Sequence, residues 1–70
     1  MPRGRIKTVM TDKGYGFITA EDGKDIFFNK SGLKGTEIKD LRLGDPVEFN
    51  VQRGPVSGPR AVNVRRVKGA

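Results

Sequence analysis

The residues with the clearest chemical potential are aromatic. Tyr15 and Phe17 lie in the stretch Lys13-Gly14-Tyr15-Gly16-Phe17-Ile18, and Phe27 lies in its echo, Asp25-Ile26-Phe27-Phe28-Asn29. On a strand, side chains two apart share a face. Tyr15 and Phe17 then stand together, with Gly16 and Ile18 turned away. Phe27 and Asn29 share one face of the second stretch, and Ile26 and Phe28 share the other. A hairpin between the two strands gathers Tyr15, Phe17 and Phe27 on one side of a small sheet. Such rings, with Lys13 beside them and glycines that leave room for another backbone, suit stacking on unpaired bases.

Other chemistry has little to work with. The chain has no cysteine and no histidine. It therefore lacks thiolate ligands, disulfides, the commonest metal ligand and the commonest general base. No paired carboxylates stand beside a candidate nucleophile. Gly14-Tyr15-Gly16 lies inside a hairpin, not ahead of a helix, so it makes no phosphate loop. The expectation is a binding protein: no enzyme, no cofactor, no metal and no small-molecule substrate. A net charge of +6 over 70 residues favours a polyanionic partner. The basic start, Met1-Pro2-Arg3-Gly4-Arg5, is followed by no apolar run. No signal peptide or membrane span is expected, and the chain reads as a soluble, cytoplasmic monomer.

The elements that must position these residues are short strands. The first runs from Arg5 to Met10 with Ile6 inward, and Thr11-Asp12-Lys13-Gly14 turns into a second from Tyr15 to Thr19. Glu21-Asp22-Gly23 closes a hairpin into the third, Asp25 to Asn29. The connection from Lys30 to Gly44 is irregular, and its Asp40–Gly44 end drops Leu41 or Leu43 onto the core. A fourth strand starts at Pro46, where Val47, Phe49 and Val51 alternate with polar residues. Arg53 to Pro59 reads as a loop, and Arg60 to Val67 as the last strand, with Val62 and Val64 on one face. Five short strands without an amphipathic helix predict one all-β domain over residues 1–70, a closed antiparallel barrel spanning about 4–67. Its expected interior is Ile6, Ile18, Ile26, Phe28, Val47, Phe49, Val51, Val62 and Val64.

Several of these pieces together resemble the cold-shock domain family. They are Gly4-Arg5-Ile6-Lys7, Lys13-Gly14-Tyr15-Gly16-Phe17-Ile18, Asp25-Ile26-Phe27, Leu43-Gly44-Asp45 and Gly58-Pro59-Arg60-Ala61-Val62-Asn63-Val64. Their order and spacing are more specific than any one of them. The resemblance implies a five-stranded barrel of the OB (oligonucleotide-binding) type. It also implies binding of single-stranded RNA or DNA with low sequence specificity, as an RNA chaperone or regulator of transcription or translation. Strand aromatics are usually core, and the isolated pattern admits that reading. The flanking glycines and the family spacing turn Tyr15, Phe17 and Phe27 outward instead.

The departures are specific. Thr8 and Val9 stand where the family usually carries tryptophan and phenylalanine, and Met10 replaces a common asparagine. The third strand ends Phe27, Phe28, Asn29, Lys30, and Ile38 falls where a loop aromatic is often found. The expected nucleic-acid surface is Lys7, Thr8, Lys13, Tyr15, Phe17, Phe27, Asn29, Lys30, Ile38 and Arg60. Fewer rings than is usual predict weaker binding that leans on charge. The basic residues Arg3, Arg5 and Lys7 at one end, and Arg53, Arg60, Arg65, Arg66 and Lys68 at the other, frame one surface if the first and last strands are close. The alternative is a basic interaction module that docks on a ribosome, a polymerase or another acidic partner.

Overall fold

A computed structural model of the chain describes residues 2–56 and 58–67; Lys68 lies outside the described residues. Five strands follow in order: β1 (Arg3–Met10), β2 (Tyr15–Ala20), β3 (Asp25–Asn29), β4 (Pro46–Gly54) and β5 (Gly58–Arg66). They close into a barrel in the order β1-β2-β3-β5-β4. The seams are antiparallel except one. β3 and β5 run parallel, pairing Phe27 with Arg60 and Phe28 with Ala61. That one parallel joint lies within the expected closed five-stranded barrel, and it follows from the path of the chain. After β3 the backbone crosses one end of the barrel through two short 3-10 turns, Lys30–Gly32 and Ile38–Asp40, before β4 begins. β5 then returns in the direction of β3.

The core is the inward parity of these strands. Ile6, Ile18, Phe28, Val47, Phe49, Ala61 and Val64 are buried, with Leu41 dropped in from the long connection. Leu43 is the residue that stays outside, 71% exposed. Burying a ring such as Phe28 or Phe49 contributes roughly 1.5–3 kcal/mol. Ile26, Val9, Ala20, Leu33 and Ile38 pack around this centre.

Two bulges shift the alternation. Between β1 and β2 the register moves from Ile6↔Ile18 to Thr8↔Phe17, so two residues of β1 oppose one of β2. Between β4 and β5, the two-residue step from Glu48 to Asn50 spans three residues of β5, Arg65 to Val62. Asn63 takes up the extra residue with φ +52°, the one non-glycine described with positive φ. The inward pair on β5 is therefore Ala61 and Val64, three apart, and Val62 leaves the expected interior. Val51 has the inward parity of Phe49 but is 38% exposed, in a rim hollow with Ile26 and Pro59. The expected loop from Arg53 to Pro59 is mostly hairpin, with Arg53 paired to Pro59 and Gly54 to Gly58.

β4 also separates the two basic ends of the chain. It pairs with β1 on one side and β5 on the other. Glu48 on β4 binds Arg3 at 3.2 Å and Arg65 at 3.7 Å, and Asp45 binds Arg66 at 3.4 Å. These arginines are thus partly neutralised on the β1–β4–β5 seam instead of framing the ring surface.

Candidate nucleic-acid interface

The outward parity of β2 and β3 carries the rings. Tyr15 pairs with Asn29 and Phe17 with Phe27 across the hairpin, while Gly16 opposes Phe28 on the inner side. Ring centroids lie 5.7 Å apart for Tyr15 and Phe27, tilted by 32°, and 5.9 Å apart for Phe17 and Phe27, edge to face at 72°. Both separations fall in the range of attractive aromatic pairs, so the rings hold one another in place. Phe17 is 37% exposed, and Tyr15 and Phe27 are half-buried. Each ring keeps a surface toward solvent on which a base can stack.

The glycines do not serve an incoming backbone. Gly16 is buried, and a β-carbon there would stand 2.2 Å from the Thr8 carbonyl oxygen and 2.7 Å from Phe28 Cζ. Its bareness lets β1 approach and lets the Phe28 ring fill the core behind the surface. Gly14 has φ +79° and takes the turn that Met10 closes by accepting from the Lys13 and Gly14 amides. The expectation that both glycines clear space for a ligand is corrected: they seat the sheet that bears the rings.

The β1 bulge adds two neighbours to the surface. A regular strand would send Lys7 and Thr8 to opposite faces. Here Thr8 pairs with Phe17, and Lys7 reaches over the hairpin to the Asp25 carboxylate, which also accepts from Thr19 Oγ1 at 3.1 Å. The Lys7 and Thr19 hydrogen bonds hold the Asp25 carboxyl below its ordinary value. Beyond the bulge, Met10 pairs with Tyr15. Met10, which the sequence marks only as a departure from the family pattern, is thus a neighbour of the rings that a fixed hairpin register would have revealed.

The remaining expected residues sort by position. Arg60 opposes Phe27 on β5, extending the ring row onto a fourth strand. Lys30 donates its amide to Gly14 at 2.8 Å and lays its stem against that glycine, beside the exposed turn that carries Lys13. Lys13 and Lys30 form no ion pair with a described residue. Asn29 lies in the Tyr15 row but uses Oδ1 to cap the Lys30–Gly32 turn, accepting from Ser31 N at 3.0 Å. Ile38 lies on the second 3-10 turn of the long connection, outside the strands that carry the rings. Its partly buried side chain packs against the core, as an aliphatic residue in a 3-10 turn over the barrel end will do.

One face thus holds three rings with an arginine at the end of a row, and the turn of Lys13 and the stem of Lys30 lie beside its Tyr15 end. Comparison with known proteins agrees with this geometry. Residues 2–67 match the family model described as the 'Cold-shock' DNA-binding domain. A cold shock-like protein of Thermotoga maritima is 41% identical over 94% of this chain and 98% of its own. The cold shock-like protein CspC of Shigella flexneri is 44% identical over 93% of this chain and 94% of its own. The cold shock protein CspB of Geobacillus stearothermophilus is 41% identical over 91% and 96%.

Proposed function

The chain belongs to the cold-shock domain family, and from that membership we propose that it binds single-stranded RNA or DNA on the Tyr15–Phe17–Phe27 face. The binding has low sequence specificity, and its role is that of an RNA chaperone or a regulator of transcription or translation. Nucleic-acid binding itself goes with the family, whose members are binding proteins and not enzymes. The observation that carries the proposal is the ring trio turned outward over a glycine-thinned sheet. Bases splayed from a single strand stack on Tyr15, Phe17 and Phe27, each contributing about 1–3 kcal/mol. Lys13 and Lys30 meet phosphates at one corner, and Lys7 joins them when a phosphate displaces Asp25. Thr8, Met10 and Asn29 border the rings and supply polar or apolar contacts at base edges. Holding the unpaired form in this way melts weak secondary structure without any chemical step.

We place the protein in the cytoplasm as a monomer. Among the described residues no helix is long and apolar enough to cross a membrane.

Tyr15 is the one tyrosine of a chain without tryptophan, so its emission reports directly on the face. Titration with a pyrimidine-rich single strand at low salt is expected to quench that emission. Absence of quenching, with retained binding to an acidic protein, would move the reading to a docking module.

A further inference from the structure

The ring row does not end with Phe27. Its partner on β5 is Arg60, and the partner of Arg60 on β4 is Gln52. Gln52 Oε1 accepts two hydrogen bonds from the guanidinium, from Nη2 at 3.1 Å and from Nε at 3.4 Å. No described carboxylate pairs with this arginine. The contrast with Lys7 is chemical. Lys7 is matched by an acid, which cancels charge; Arg60 is matched by a neutral amide, which fixes a plane and leaves the charge intact.

A guanidinium carries five N–H donors in a rigid fork. Gln52 takes the edge formed by Nε and Nη2. The outer edge, with one N–H from each terminal nitrogen, stays intact as two parallel donors. We infer that Gln52 is a positioning residue that holds Arg60 as a base-reading fork selective for guanine in the nucleotide stacked on Phe27. This inference rests on the proposed single-strand binding face. Neighbouring strands lie about 4.8 Å apart, so a base over Phe27 brings its edge above β5. Guanine offers O6 and N7 as adjacent acceptors and matches the fork. Adenine sets its N6 donor against one of those donors, and thymine presents O4 without an adjacent acceptor on that edge. A phosphate can take the same fork in bidentate fashion, but every nucleotide carries one, so only base reading makes the affinity depend on which base lies over Phe27.

The test compares two short single strands at fixed salt, an all-thymine hexamer and the same hexamer with one central guanine. The measured quantity is the ratio of their affinities. The native protein is expected to favour the guanine strand by at least about fivefold, the low end of what one bidentate base contact discriminates. Gln52→Leu is expected to bring the ratio close to one. Gln52→Glu, whose carboxylate accepts the same two bonds, is expected to keep a preference. Gln52 is exposed, and a thermal melt of each variant confirms the fold. A native ratio near one overturns the inference. So does a preference that survives Gln52→Leu, or an Arg60→Lys variant that retains the full ratio. Failure of either strand to quench Tyr15 would be a different outcome, since it would remove the binding face itself.

Discussion

Phe27 and Phe28 are adjacent in sequence and opposite in work. Phe27 lies on the solvent face between Tyr15 and Phe17, and Phe28 is fully buried behind Gly16. Truncating the two should therefore separate binding from folding. Phe27→Ala, and likewise Phe17→Ala, is expected to weaken single-strand affinity by about 1–3 kcal/mol with little change in melting temperature. Phe28→Ala is expected to lose about 3–5 kcal/mol of stability, measured by urea unfolding. This parity was legible in the sequence because two strands with a short turn leave only two ways to face, and the flanking glycines together with the family spacing chose between them. The purpose of Gly16 was not legible. A missing side chain reads the same whether the space goes to a ligand or to a neighbouring ring, and only the 2.7 Å approach to Phe28 Cζ tells them apart.

Among the elements, β1 and β5 owe their function to irregularity. The β1 bulge lets Lys7 and Thr8 serve one face, which a period-two reading forbids to neighbours. The β5 bulge at Asn63 turns Ala61 and Val64 inward and keeps Arg60 on the outside with Phe27. Strand order and approximate position can be read from alternation and turn residues, whereas the ends cannot: the Gly- and Pro-rich run from Arg53 to Pro59 reads as a loop but mostly pairs. A bulge leaves no comparable mark, so Val62 and Val64 look like a pair. Asn63→Val should cost about 1–2 kcal/mol, because a β-branched residue pays the left-handed penalty that asparagine tolerates. Asn63→Gly should be nearly neutral; both are read from melting curves. Val51 illustrates a second limit, since parity gives direction and not depth along the barrel.

For the whole molecule, charge is unevenly assigned despite the +6 balance. Arg3, Arg65 and Arg66 hold Glu48 and Asp45 across the β1–β4–β5 seam, while Lys13 and Lys30 form no ion pair with a described residue. Glu48→Gln should lower stability by about 0.5–1 kcal/mol at low salt, with the difference shrinking as salt rises. Strand binding should weaken with salt, log affinity against log salt falling by about 0.7 for each phosphate held. Acid acts on the Lys7–Asp25 pair with a definite sign. The Asp25 carboxyl is held below its ordinary value, first by Lys7 and then by Thr19. Its contribution to stability is present above the ordinary carboxylate value and is lost as pH falls through the lowered one. Asp25→Asn is therefore expected to flatten the acid limb of the stability profile.

The parallel seam has a consequence for the timing of folding. β5 touches both β3 and β4, so the ring cannot shut until the last strand has been made. As the chain emerges during synthesis, the aromatic hairpin is available early, but its inner side stays wet and the edge of β3 stays open. A nascent chain halted before Gly58 would carry the recognition rings on an unsealed sheet, so β5 must be made before this surface gains a stable backing.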